Sequence, residues 1–165
     1  MTAKQALDSL QAKSLRLAVA ESLTGGGLSS EFVSVPGASK VFLGAIVAYD
    51  TAIKASLLGV PQVLLSERGA VDPEVAVAMA RGVRGSLAKA ANLPEDSVVG
   101  LAVTGVAGPD SQDGKSVGTV FVAILGASGV PVEVTEYFFG GSREEIRAQS
   151  TEAAVNVLLA WLQKV

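Results

Sequence analysis

Two absent residue types limit the chemistry that this chain can perform. None of its 165 residues is cysteine or histidine, which excludes thiol nucleophiles, cysteine zinc sites and every Ser-His-Asp or Cys-His arrangement. A nucleophile must then be Ser, Thr, Tyr, Lys or a carboxylate. A base that works near neutral pH must be a lysine or a carboxylate with a shifted pKa. Any metal site would have to use oxygen ligands.

Three stretches combine glycine, hydroxyl and charged residues in a way that suits such chemistry. They are Ala20–Gly26 (AESLTGG), Pro36–Ser39 (PGAS) leading to Tyr49 and Lys54, and Thr104–Asp110 (TGVAGPD). Together with the later Val117–Val120 and Phe139–Arg143, this ordered set closely resembles the nicotinamide-nucleotide amidase family. That family also occurs as the C-terminal domain of CinA, the competence/damage-inducible protein. The resemblance covers about residues 7–162.

The resemblance implies an activity and a set of residue roles. The activity is hydrolysis of the carboxamide of nicotinamide mononucleotide to nicotinate mononucleotide and ammonia by a Ser–Lys dyad, without a cofactor or a metal. Position by position, the nucleophile falls on Ser39, the general base on Lys54 and an assisting tyrosine on Tyr49. Ser22 is the next candidate for the nucleophile. Substrate-binding positions fall on Thr24, Gly25, Gly26, Thr104, Gly105 and Arg143.

Two positions depart from the family pattern. Leu23 stands where the family often has cysteine, which indicates that a cysteine is dispensable there. Asp50-Thr51 stands where the family often has Ser-Asn, beside the expected base. The N-terminal domain of full-length CinA has no counterpart in this sequence, so the resemblance implies a stand-alone enzyme.

The chemistry of a lysine base sets a condition on Lys54. A free lysine with a pKa of about 10.4 is roughly 0.05% neutral at pH 7, so burial must lower the pKa by about 2–3 units. The neighbours Ile53, Ala55, Leu57 and Leu58 are apolar and would provide that burial. Backbone N–H groups near residues 37–39 are candidates for an oxyanion hole. Arg143 and the Gly25–Gly27 turn are candidates for holding the phosphate.

The distance between Ser39 and Lys54 is the open question of this assignment. If residues 39–49 were fully extended, their ends would lie about 33 Å apart. The two side chains can meet only if residues 39–43 coil and the lysine helix folds back, or if neighbouring subunits share the site.

The hydrophobic pattern predicts an α/β fold. Helical spacing of Ala3, Ala6, Leu7 and Leu10 predicts a first helix, and further helices are expected over about residues 28–35, 51–58 and 72–91. Buried strands are expected over residues 15–20, 45–49 and 97–104, and residues 118–125 and 132–139 should form an antiparallel hairpin. Ser142 and Glu145 form a capping box that begins the last helix. We therefore expect a single domain over residues 1–165, a three-layer α/β/α sandwich with a mixed, mostly parallel sheet of about five strands.

Ligands of such sheets bind outside the carboxyl ends of the strands. This rule predicts a site formed by the loops Glu21–Gly27, Tyr49–Lys54 and Thr104–Pro109, joined by Phe139–Arg143.

Several motifs outside this site are weaker. Gly108–Ser116 has five residues between its glycines where a P-loop has four, and a strand follows it. Ser86–Lys89 matches S-x-x-K but lies inside a predicted helix without companion motifs. Asp110 and Asp113 are two loop carboxylates of the kind that solvent usually hydrates.

Charge and hydropathy restrict the partners. Thirteen basic and sixteen acidic residues give a net charge of −3, which argues against nucleic acid as a partner. The polar residues 1–13 lack the apolar region of a signal peptide, so we expect a cytoplasmic protein with no membrane partner. The high proportion of apolar residues favours a homo-oligomer. Two other functions remain open: a non-catalytic pyridine-nucleotide-binding module and a regulatory partner domain.

The absence of histidine and cysteine generates a first prediction. Amide hydrolysis by this protein should survive prolonged EDTA treatment, because the chain lacks the ligands of a catalytic zinc site. Ammonia release before and after chelation measures this. Activity that is lost on chelation and restored by a divalent ion would direct attention to Asp110 and Asp113.

Overall fold

A computed structural model describes residues 2–165 of the chain, which form five strands and six α-helices around one sheet. The strands are β1 Arg16–Glu21, β2 Phe42–Val47, β3 Val98–Gly105, β4 Thr119–Leu125 and β5 Glu133–Phe138. The helices are α1 Ala3–Ala12, α2 Gly27–Val33, α3 Thr51–Leu58, α4 Gln62–Arg68, α5 Pro73–Ala90 and α6 Arg143–Leu162. Short 3₁₀ turns occur at Ala38–Lys40 and Glu95–Ser97.

The strands lie side by side in the order β2-β1-β3-β4-β5. β1 pairs in parallel with β2 and β3, whereas β4 pairs antiparallel with both β3 and β5. Only β4 therefore runs against the other strands. The predicted mixed, mostly parallel sheet of five strands and its C-terminal hairpin are confirmed.

Two layers of helices cover the two faces of the sheet. Along β1, Leu17 and Val19 point into a core shared with α1, α2 and α6, while Ala18 and Ala20 point into a core shared with α3, α4 and α5. All four side chains are fully buried. A strand that is apolar on both faces is typical of a sheet covered on both sides. The predicted α/β/α sandwich follows from this packing.

Side-chain caps set the start of three helices that matter for the site. Asp50 accepts a hydrogen bond from the N–H of Ala52 at the start of α3, and Asp72 accepts one from Glu74 at the start of α5. Ser142 and Glu145 form the predicted capping box at the start of α6. Such caps each contribute about 1 kcal/mol and determine where a helix begins.

Two parts of the fold differ from the expectation. β2 spans Phe42–Val47 rather than residues 45–49, because Ala48 and Tyr49 leave the strand and direct their carbonyl groups toward Lys54. The short helix α4 was not predicted, since Pro61 precedes it and no side chain caps its first turn. Within residues 2–165, no helix combines the length and the apolar character needed to cross a membrane.

A close contact between α3 and α5 generates a stability prediction. Alanine usually stabilises a helix interior relative to glycine by about 1 kcal/mol. At Gly82 of α5, however, a Cβ would lie 1.8 Å from the carbonyl oxygen of Leu58, the last residue of α3. Gly82→Ala should therefore lower the free energy of unfolding by about 2 kcal/mol or more, measured by urea denaturation.

Gly85→Ala in the same helix is the matched control. Its Cβ would meet the flexible end of the Glu95 side chain and no backbone atom. Its free energy of unfolding should stay within about 1 kcal/mol of the wild type. Equal stability of the two variants would contradict the predicted clash.

Candidate active site

A polar cavity of about 280 Å³ opens at the carboxyl ends of β1 and β3 and at the start of α3. Its walls come from the three predicted loops, from Ala70 and Val71 before α5 and from Asp110 and Gln112, with Arg143 from the start of α6. The lining residues are Ser22, Leu23, Tyr49, Asp50, Thr51, Lys54, Ala70, Val71, Thr104, Gly105, Val106, Ala107, Gly108, Asp110, Gln112 and Arg143. This candidate cavity therefore lies at the carboxyl ends of the strands, where the rule predicts a ligand site.

The centre of the cavity is a contact between Lys54 and Ser22. The Lys54 Nζ lies 3.0 Å from the Ser22 Oγ, and both side chains are buried, with exposed fractions of 1% and 7%. Ser22 directly follows β1, and Lys54 lies in the first turn and a half of α3, which follows β2. Because β1 and β2 are parallel neighbours, their carboxyl ends bring these two residues together.

Two carbonyl groups orient the Lys54 amine. Its Nζ donates to the carbonyl oxygens of Ala48, at 2.7 Å, and Tyr49, at 3.1 Å. Carbonyl oxygens can only accept hydrogen bonds, so each of the two must accept one from an N–H of the Lys54 amine. A neutral amine has two N–H bonds and one lone pair. With both N–H bonds on the carbonyls, the lone pair faces the Ser22 hydroxyl, as a general base requires.

Burial also prepares Lys54 for deprotonation. Desolvation lowers the pKa of Lys54 from 10.5 to about 8, while the Asp50 carboxylate raises it. With a pKa near 8, about a tenth of the molecules carry a neutral Lys54 at pH 7. The expected direction of this shift is confirmed. Leu57 does not contribute to it, because its side chain is 55% exposed.

Arg143 and Tyr49 lie together at the mouth of the cavity. The Arg143 guanidinium donates to the Tyr49 hydroxyl, at 2.9 Å, and to the Gly108 carbonyl oxygen, at 2.6 Å. Tyr49 thus has two separate roles, since its backbone oxygen binds Lys54 while its hydroxyl binds Arg143. The hydroxyl of Tyr49 is not a partner of Ser22 or Lys54, so the structure provides no direct proton relay through it.

The wall opposite the mouth is built around Ala70. The fully buried Thr104 donates its hydroxyl to the Ala70 carbonyl oxygen at 2.8 Å, and the Asp113 carboxylate accepts from the Ala70 N–H at 3.0 Å. Gly105 lines the cavity beside Thr104, where a Cβ would lie 2.7 Å from the Thr119 carbonyl oxygen. The predicted positions Thr104 and Gly105 therefore line the cavity, with the threonine hydroxyl directed to the backbone.

Ser39 is not part of this site, which corrects the predicted nucleophile within one chain. It is exposed in the 3₁₀ turn that precedes β2, whereas Lys54 follows β2. The six residues of β2 place the two ends about 20 Å apart. Residues 39–41 do coil, but β2 then carries the chain from the amino end of the strand to its carboxyl end, where Lys54 lies. The backbone N–H groups near residues 37–39 cannot form an oxyanion hole for the same reason.

The glycine-rich turn after β1 also differs from the prediction. The Thr24 hydroxyl donates to the buried Glu21 carboxylate at 2.6 Å, and the Gly26 N–H donates to it at 3.0 Å. The Gly25 N–H donates to the Ser22 carbonyl oxygen. Thr24, Gly25 and Gly26 therefore form hydrogen bonds inside the turn and are absent from the lining of the cavity, in contrast to the substrate-binding role predicted for them. The signal for Ser22 was its position directly after a buried strand and before this turn.

A larger cavity lies elsewhere. A groove of about 610 Å³ runs along α5 beside the end of α3, with mainly apolar walls. Its lining includes no Ser, Thr, Tyr or Lys, and its two charged residues, Glu74 and Arg81, are exposed. The smaller cavity is the candidate active site because the buried side chains of Ser22 and Lys54 line it. Among residues 2–165, no group of three or more carboxylates has the arrangement of a metal site.

Comparison with known proteins agrees with this fold. Residues 1–162 match the model of the CinA C-terminal domain family. CinA-like proteins of Geotalea uraniireducens and Geobacter sulfurreducens are 44% and 42% identical to 90% and 92% of this chain. The chain spans about a third of the length of these curated relatives, 32% and 34% respectively.

Solved structures of the CinA superfamily also match this fold. A competence-damaged protein (CinA) superfamily protein of Klebsiella pneumoniae has a TM-score of 0.87 at 26% identity, covering 99% of this chain and 96% of that one. One of Escherichia coli has a TM-score of 0.81 at 31% identity, covering 94% and 84%. The protein is thus an α/β sandwich of the CinA superfamily. More narrowly, it belongs to the CinA C-terminal domain family.

The charge beside Lys54 generates a prediction about its titration. Asp50→Asn keeps a residue that caps α3 but removes the negative charge that stabilises the Lys54 ammonium. The pKa of Lys54 should therefore fall below its wild-type value near 8. NMR titration of the protein labelled with ¹³C-lysine measures it. An unchanged or higher pKa in the variant would contradict the assigned role of Asp50.

Proposed function

We propose that this protein hydrolyses the carboxamide of nicotinamide mononucleotide to nicotinate mononucleotide and ammonia, with Ser22 as nucleophile and Lys54 as general base. The observation that carries the proposal is the buried contact of 3.0 Å between Lys54 Nζ and Ser22 Oγ on the wall of a polar cavity. The resemblance of the sequence to the amidase family suggests the substrate, and the contact with Lys54 supports Ser22 rather than Ser39 as the attacking group.

Acylation begins when Lys54 accepts the Ser22 proton. The Ser22 Oγ attacks the carboxamide carbon, and the C=O bond opens to an oxyanion. The N–H of Leu23 follows the nucleophile on the cavity wall, a position from which a backbone donor commonly stabilises such an oxyanion. Lys54 then returns the proton to the amide nitrogen. The C–N bond breaks, ammonia leaves, and Ser22 holds the acyl group as an ester.

Deacylation uses the same base, with water as the nucleophile and Ser22 as the leaving group. Lys54 accepts a proton from a water molecule, whose oxygen attacks the ester carbon. Collapse of this intermediate breaks the bond to Ser22 Oγ, which regains its proton from Lys54. One water is consumed, and one ammonia and one carboxylic acid are formed. The acid ionises and its proton converts ammonia to ammonium, so atoms and charges balance. Two orienting carbonyls hold the amine in place through both half-reactions.

Arg143 supplies the positive charge that would bind the phosphate of the proposed substrate, in a cavity that the carboxylates Asp50 and Asp110 also line. Arg143 is exposed at the mouth, where its guanidinium can meet a phosphate group, and planar guanidinium groups bind phosphate by paired hydrogen bonds. It lies at the first residue of the 20-residue helix α6, whose N-terminus adds partial positive charge. Phosphate binding at the mouth would leave the nicotinamide end directed toward Ser22.

The roles of the two serines generate the central test. Ser22→Ala and Lys54→Ala should each lower ammonia release from nicotinamide mononucleotide by at least about 10³-fold, because each removes a member of the dyad. Ser39→Ala is the matched control and should stay within about twofold of the wild type. Calorimetric titration with the nucleotide shows whether the Ser22→Ala protein still binds substrate.

The outcomes separate the competing functions. Substantial activity in Ser22→Ala contradicts the nucleophile, and loss confined to Ser39→Ala would indicate a site shared between subunits. Binding without turnover by the wild type would favour a pyridine-nucleotide sensor, and neither binding nor turnover would favour a regulatory partner domain. The wild-type kcat/KM should rise with pH through a pKa near 8, because Lys54 must be neutral to act as a base.

A further inference from the structure

Ser22 lies on a turn whose conformation decides whether its hydroxyl meets Lys54. The Ser22 N–H donates to the Val103 carbonyl oxygen of β3 at 3.1 Å, which continues the sheet pairing by one residue. Its own carbonyl oxygen accepts from the Gly25 N–H at 3.1 Å. The position of Ser22 Oγ therefore depends on the turn through residues 22–26 being held in one conformation.

A buried carboxylate holds the N–H side of this turn and of the helix that follows. Glu21 is fully buried and accepts from the N–H groups of Gly26, Leu28 and Ser29 at 3.0, 3.1 and 2.9 Å. Within residues 2–165, no basic group forms a salt bridge with it. Backbone and hydroxyl donors thus supply the stabilisation that a buried charge requires.

A guanidinium group holds the carbonyl side of the same turn. Arg147 donates from Nε to the Leu23 carbonyl oxygen at 2.9 Å and from Nη2 to the Thr24 carbonyl oxygen at 3.0 Å. Leu23 and Thr24 are buried, so their carbonyl groups depend on partners from the protein. Gly25 has a φ of +58°, a left-handed conformation that favours glycine at this point of the turn.

Helix α6 carries both Arg147 and Arg143. The two arginines are four residues apart, one turn of the helix, and so share a face. Arg143 lines the mouth of the cavity, while Arg147 lies behind the nucleophile and does not line the cavity. The planar fork of arginine matches two successive carbonyl groups, whereas lysine offers a single donor centre.

We infer that Arg147 is a positioning residue for catalysis, which holds the Ser22 turn against Glu21 so that the Ser22 hydroxyl stays within hydrogen-bond distance of Lys54. The expected effect of Arg147 on kcat rests on the proposed function. Its effect on the conformation of the turn through residues 22–26 does not. Arg147 touches neither the cavity nor Lys54. It acts through the carbonyl groups of Leu23 and Thr24.

The kinetic test compares Arg147→Ala with Arg81→Ala, an exposed arginine of α5 that serves as control. Arg147→Ala should lower kcat for nicotinamide mononucleotide by about 10- to 100-fold, the effect expected of a small misplacement of the nucleophile. KM should stay within about twofold, because no contact to the substrate is removed. Guanidinium ion should restore part of the kcat, and methylammonium should not. Arg81→Ala should match the wild type.

A second measurement reports the stability of the turn and does not require enzymatic activity. Amide hydrogen exchange of Gly25 and Gly27, which donate to the Ser22 and Thr24 carbonyl oxygens, should accelerate in Arg147→Ala and not in Arg81→Ala. If the wild type fails to hydrolyse the nucleotide, the proposed function fails, while this exchange still tests the positioning. Wild-type exchange at both amides in Arg147→Ala, or an unchanged kcat in an active enzyme, would overturn the inference.

Discussion

The site depends on one buried amine whose hydrogen bonds must all be made inside the protein. A lysine removed from water strongly favours its neutral form unless acceptors surround it. The backbone provides them where β2 ends, at the carbonyl groups of Ala48 and Tyr49, and the turn after β1 provides Ser22. The parallel pairing of β1 with β2, the cap of α3 at Asp50 and the early end of β2 all serve this contact.

Hydrogen bonds on both sides of its turn also fix the position of Ser22, the hydroxyl partner of this amine. The turn that carries Ser22 lies between the carboxylate of Glu21, which collects its N–H groups, and the guanidinium of Arg147, which collects its carbonyl groups. Such a turn can be buried because each of these polar groups has a partner. It also explains why residues that resemble a phosphate-binding glycine loop bind the protein's own carboxylate. The Glu21 carboxylate would repel a phosphate group placed at this turn.

Under the proposed function, the polar cavity is a site for proton transfer. Another of its walls contains Ala70, whose carbonyl oxygen accepts from the Thr104 hydroxyl and whose N–H donates to the Asp113 carboxylate. Arg143 is the basic side chain at its exposed mouth. This separation places the charge that could bind a phosphate outside and the weakly basic amine inside. A substrate with a charged end and a neutral amide end matches that order.

Much of the fold and the location of the site could be predicted from local sequence signals. Apolar strands, the caps at Asp72 and Ser142, and the glycine-rich stretches indicated a sandwich with its site at the carboxyl ends of the strands, and the apolar neighbours of Lys54 indicated its lowered pKa. Which of the two serines lies beside Lys54 was decided by tertiary structure. Ser22 follows β1 and Ser39 precedes β2, so parallel pairing places them at opposite ends of the strands. The apolar run alone left residues 39–43 free to coil, and the pairing of Phe42 with Leu17 starts β2 at residue 42.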